Sequence, residues 1–154
     1  MEEKKIVLTA KVMPTDELSC GDRRLRAAAI DAAGRAYAPY SRFSVGAAAL
    51  LADDSIVTGN NQENMAYPSG LCAERVALFA AGATFPDIPV TAIAIVAMSG
   101  GEVHPHVSPC GSCRQVMLET ERRYGGAIRV LMCGRDETVV VSSVSGLMPF
   151  AFGL

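Results

Sequence analysis

Residues 90–99, VTAIAIVAMS, are a nearly continuous run of β-branched and small apolar residues. A strand with one wet face alternates apolar and polar side chains. This one does not, so it reads as a strand buried on both faces, and the rest of the chain has to supply its cover.

The remaining pattern supplies it. DRRLRAAAIDAAGRAYA (22–38) is predicted to be a helix, with Leu25, Ala28, Ala29, Ala32 and Ala36 at helical spacing, broken at Pro39. FSVGAAALLADDSIVTGN (43–60) reads as two strands around a turn near Asp53 and Asp54. CAERVALFAAGA (72–83) is a second helix with Gly82 as its stop, and CGSCRQVMLETERRYGG (110–126) is a third, ending at Gly125 and Gly126. Within it, ETERRYGG, with Glu119 and Arg123 at i, i+4, reads as a solvated face. AIRVLMCG (127–134) and ETVVVSSV (137–144) are two further strands. The order β-β-α-β-α-β-β after the first helix implies an α/β domain with helices packed on a mixed sheet. A chain of 154 residues, half of them hydrophobic and 19% charged, suits one such domain over 1–154. Residues 1–21 read as a lead-in segment.

A net charge of −2 gives no reason to expect nucleic acid as a partner. No stretch reaches the roughly 18 apolar residues of a membrane span. The start, MEEKKIVLTAKVMP, has too short an apolar run for a secretory signal. A cytoplasmic protein without a membrane partner is expected.

The five cysteines are Cys20, Cys72, Cys110, Cys113 and Cys133. An odd count in a reducing compartment points to metal binding or catalysis and away from a disulfide framework. Cys72 and the Cys110-x-x-Cys113 pair each sit at the predicted start of a helix, where the dipole and unpaired N–H groups favour thiolates. Brought together, three thiolates leave one tetrahedral position, and Glu74 adds a carboxylate beside it. Three protein ligands, an open position and an acid form the pattern of catalytic zinc. His104 and His106, in EVHPHVSPC, are the alternative: either closes the site as a fourth ligand and makes the zinc structural. Redox use of Cys110 and Cys113 leaves Cys72 and Glu74 without a role. Cys20 and Cys133 have no partner at ligand spacing.

CAE followed by PCGSC resembles the zinc deaminase signature in its all-cysteine form. YAPYSRFSVGAA (37–48), NQENMAY (61–67), GLCAER (70–75), PCGSCRQV (109–116) and LMPFAF (147–152) together resemble the small homotetrameric cytidine deaminases over roughly residues 23–152. The resemblance implies a three-layer α/β/α fold with a mixed five-stranded sheet, one zinc per chain, and hydrolytic deamination of free cytidine and deoxycytidine in pyrimidine salvage. It implies Cys72, Cys110 and Cys113 as ligands and Glu74 as the proton shuttle. Asn61 and Glu63 would bond the ribose, Phe43 would pack on the nucleoside, and the backbone of Ala73 would meet the pyrimidine edge. Arg75 and Arg114 would bond the thiolates and draw charge from them. Phe152 would enter a neighbouring subunit's site. The apolar end GLMPFAFGL, with Leu147, Met148, Phe150, Phe152 and Leu154, suits such an assembly. Deamination of a related nucleoside or nucleoside antibiotic, or a structural zinc module, are the alternative functions. The lead-in, Pro68 and SGGEVHPHV (99–107) depart from the family's common pattern.

Overall fold

The computed structural model describes residues 1–153; Leu154 of the apolar end lies outside the described residues. The apolar run at 90–99 is a single strand, β4 (Val90–Ser99), in the middle of the sheet. It pairs antiparallel with β2 (Ser44–Leu51) on one side and parallel with β6 (Arg129–Cys133) on the other. β3 (Ile56–Asn60) lies outside β2, and β7 (Glu137–Val141) lies outside β6. The turn between β2 and β3 falls at Asp53–Asp54 as expected, with Asp54 at φ 72° and the Asp53 carboxylate accepting from Ser55.

Side-chain alternation in β4 divides the core into two layers. Ala92, Ala94 and Val96 pack with Ala48, Leu25 and Ala29, under helix α1 (Cys20–Ala33). Ile93 and Ile95 pack with Ala77, Leu78, Met117 and Leu118, under α2 (Ala73–Thr84) and α3 (Gly111–Tyr124). Both faces of β4 are therefore covered, and the layers are α/β/α. Two glycines let the helices approach. A Cβ at Gly46 would run into the Ala29 carbonyl and lie 2.5 Å from Ala33 N. One at Gly59 would collide with Ala77 N and lie 2.6 Å from the Ala73 carbonyl. The second contact presses the start of α2 against β3.

The sheet has seven strands, not five. β1 (Lys11–Pro14) lies in what reads as a lead-in segment and pairs antiparallel with β7 at the sheet edge. It is four residues long and mostly exposed, so it carries no hydrophobic alternation and its pairing depends on a distant strand. β5 (Glu102–Val103) folds back on the end of β4 through Gly100 and Gly101, both at positive φ (62° and 84°). A two-residue hairpin turn with positive φ at both positions favours glycine at each.

The helix boundaries also shift. Ser19 caps α1 by accepting from Asp22 N, so the helix begins before residue 22. It ends at Gly34, five residues short of Pro39. Beyond it, Tyr37 is drawn away by bonds with the backbone of Asn61 and Glu63. α2 passes through Gly82 and stops after Thr84. α3 closes at Gly125 in the left-handed conformation. Glu121, on the stretch expected to be solvated, is buried instead.

Candidate metal centre

Helices α2 and α3 start side by side, and each starts on a cysteine. Cys72 is the N-cap of α2 and Cys110 the N-cap of α3; Cys113 lies in the first turn of α3 and is fully buried. The Sγ atoms of Cys72, Cys110 and Cys113 all lie within 4.8 Å of one another, and those of Cys110 and Cys113 are 3.4 Å apart. A zinc–sulfur bond of about 2.3 Å in a tetrahedral site puts neighbouring sulfurs about 3.8 Å apart. Three soft donors at this spacing fit one zinc ion. Among the described residues no histidine joins the group, and neither does Cys133, which is buried and donates to the Leu131 carbonyl. His104 and His106 interact with each other instead: His104 Nδ1 lies 2.7 Å from the His106 carbonyl. Among the described residues the cluster therefore offers three donors that could hold one metal ion, with no fourth beside them.

Charge and burial act in opposite directions on two of the sulfurs. A hydrogen bond from Cys113, aided by the Arg75 guanidinium, lowers the Cys72 thiol to about 5. Cys113, the donor in that bond and buried, is pushed far up. Arg75 Nη2 stands 3.7 Å from Cys72 Sγ. Arg114 differs from the expectation. Its Nε donates to the Pro109 carbonyl at 2.9 Å and makes no hydrogen bond to a sulfur, so it braces the loop in front of Cys110. Glu74, in the first turn of α2, is 4% exposed. Burial raises its carboxyl above the ordinary range, and the neighbouring Cys72 charge adds to this. Ala73, before it, is buried at the first helical position, where an N–H has no helical acceptor.

A cleft of about 470 Å³ opens beside Cys72. Asn61, Glu63, Arg75, Tyr40 and Tyr67 line it. Both ribose candidates also hold the protein's own backbone. Asn61 Oδ1 accepts from Val45 N at 2.7 Å, and its Nδ2 donates to the Phe43 carbonyl at 2.9 Å. Glu63 Oε2 accepts from Tyr40 N and Ser41 N, and Oε1 accepts from Ser41 Oγ. The Ser41 bond, with those from the backbone, keeps the Glu63 carboxyl below its ordinary value. Phe43, half-buried, leads into β2 and packs edge-on against His104, a residue that sequence reasoning placed only as a possible metal ligand. Ser41 was also missed; YSRF contains it, but its bond to Glu63 joins positions 22 apart. Phe152 is not among the residues that line the cleft of its own chain. Its ring is 84% exposed, and its carbonyl accepts from Gln115 and Arg122 of α3.

Residues 21–124 match the family model of the cytidine and deoxycytidylate deaminase zinc-binding region. The chain is 42% identical over 131 residues to a cytidine deaminase of Mycobacterium tuberculosis, covering 84% of this chain and 88% of that one. The chain belongs to the cytidine deaminase family. A cytidine deaminase of Halalkalibacterium halodurans is 42% identical over 118 residues, or 77% of this chain and 76% of the relative. Among solved structures, cytidine deaminase from Burkholderia pseudomallei superposes with a TM-score of 0.72 at 40% identity, covering 84% of this chain and 98% of the other. The family's fold and zinc-binding region are thus those of this chain, with the cysteine cluster inside the matched span. No helix among the described residues is long and apolar enough to cross a membrane.

Proposed function

We propose that this chain is a zinc-dependent hydrolase that deaminates free cytidine and deoxycytidine to uridine and deoxyuridine, releasing ammonia. The observation that carries the reading is the cluster of three cysteine sulfurs, with no fourth ligand among the described residues, and a buried Glu74 at the same helix start. A zinc ion held there supplies the Lewis acidity that makes water a nucleophile near neutral pH. Glu74 does the proton work. It takes a proton from the attacking water as the C4–O bond forms and delivers it to N3 of the pyrimidine. It then takes the remaining proton of the new C4 hydroxyl and passes it to the amine as the C4–N bond breaks, leaving the C4 carbonyl of uridine and ammonia. A carboxyl raised by burial suits a group that must hold and release a proton in each cycle.

Asn61 and Glu63 hold the ribose. Each spends bonds on the chain itself, so each is fixed in place before substrate arrives. Phe43 packs on the nucleoside, and the Ala73 backbone meets the pyrimidine edge. Arg75 draws charge from Cys72. Arg114 acts through the Pro109 loop. The active form is a homotetramer in which Phe152 covers a neighbour's pyrimidine. The exposed rings of Phe150 and Phe152, at 86% and 84%, support an assembly that covers them. The substrate is a free nucleoside in the cytoplasm, and the reaction belongs to pyrimidine salvage. Neither nucleic acid nor membrane is a partner.

Measuring ammonia release over a panel of free nucleosides tests the reading. Cytidine and deoxycytidine should be the best substrates. Preferred turnover of a different nucleoside would redirect the assignment without altering the metal centre.

A further inference from the structure

The short hairpin that the five-stranded expectation lacks brings a histidine to the Phe43 ring. Met98 of β4 pairs with Ser44 of β2 on one side and with Val103 of β5 on the other. The residues next to those partners are Phe43 and His104. His104 N donates to the Ala97 carbonyl at 2.8 Å, which extends the β5 pairing by one residue. The two rings meet across the end of β4, with centroids 5.5 Å apart and planes at 77°.

Phe43 needs such a neighbour. Its backbone is fixed by Asn61 Nδ2 and by Ser41 Oγ, which accepts from Phe43 N at 3.0 Å. Its side chain joins neither hydrophobic core cluster, so the core does not wedge the ring. His104 is itself locked. Its Nδ1 lies 2.7 Å from the His106 carbonyl and 3.3 Å from the His106 backbone N, two contacts that fix the ring plane. We infer that His104 is a positioning residue: it holds the Phe43 ring in the orientation that packs on the nucleoside, and so sets substrate affinity without touching the chemistry. The inference rests on the deaminase reading above, which gives Phe43 its substrate role. Gly100 and Gly101 then serve the site by making the tight turn that delivers His104.

The test compares H104A and H104F with wild type, using zinc-loaded protein and cytidine. An edge-to-face pair is worth a factor of roughly 2 to 12 in an equilibrium constant. H104A should raise KM by about that factor, with kcat within about twofold and zinc content unchanged. H104F, which retains an aromatic edge, should restore KM. A KM for H104A equal to wild type would overturn the inference alone. So would a loss of kcat and zinc that H104F does not repair, which marks a merely structural residue. A wild-type protein that turns over no cytidine would overturn the deaminase reading and this inference with it.

Discussion

Arg75 Nη2 points at Cys72 Sγ from 3.7 Å, and both residues belong to the first turn of α2 or its cap. Zinc with three thiolates carries a net charge of −1, and a guanidinium beside one sulfur offsets it. Groups that bond to metal ligands typically contribute about 10–100-fold in metal affinity. R75A should therefore lose zinc to a chelator at concentrations about that much lower than wild type requires. Unchanged retention would show that Arg75 serves only the cleft wall.

Replacing Glu74 with Gln keeps the size and removes the proton exchange. E74Q should fold, bind about one zinc per chain, and lose activity by roughly 10³–10⁴-fold or more, because one group serves two transfers. Steady-state assays on protein of measured zinc content decide this. Activity within tenfold of wild type would remove Glu74 from the mechanism.

The Glu121 carboxylate, on α3, accepts from Ile128 N at 2.8 Å, from Val144 N at 2.9 Å, and from both Ser143 and Ser145. Burial opposes its charge, but these bonds outweigh it and hold the carboxyl below the ordinary glutamate range. The resulting stability is fully present above the unfolded value of about 4.3 and is lost as pH falls through the lower folded value. E121Q should cost about 2–4 kcal/mol at neutral pH, since it leaves several buried donors poorly paired. Thermal melts should show the gap between wild type and E121Q narrowing as pH drops from about 5 to 3. A gap that stays constant would mean that the charge does not matter.

N61A should raise KM for ribosides and also lower Tm, because the same amide bridges Val45 N and the Phe43 carbonyl. A lost neutral hydrogen bond is worth about 0.5–1.5 kcal/mol, more where a buried partner is stranded. E63A should hurt ribosides more, through loss of a charge-assisted bond. Free cytosine tests both: if the base alone is deaminated as well as cytidine, the ribose assignment fails.

F152A should weaken nucleoside binding and loosen the oligomer together, and truncation before Leu147 should abolish both. Light scattering coupled to size exclusion reads the assembly. A fully active monomer at micromolar concentration would refute the shared site and leave the zinc chemistry standing.

What the sequence made legible was local. β4 announces itself through ten residues that need no partner to be recognised, and the cysteines at two helix starts are visible from spacing and turn signals. What it hid depends on long-range pairing. β1 is a strand only because β7 lies next to it. Glu121 looks like a surface acid in ETERRYGG until the turn at 144–147 folds over it and presents its donors. The family resemblance implies a bond from Arg114 to a sulfur, yet its Nε turns back to the Pro109 carbonyl. His104 was weighed as a ligand because it is near Cys110 in the chain. The β5 hairpin takes it to Phe43 instead.

The most direct measurement is ammonia and uridine release from cytidine by purified chain, taken against bound zinc. One ammonia should appear per uridine formed, with about one zinc per chain and activity that is lost on chelation and returns with zinc. A folded chain with one zinc bound that releases no ammonia from any free pyrimidine nucleoside would contradict the deaminase reading.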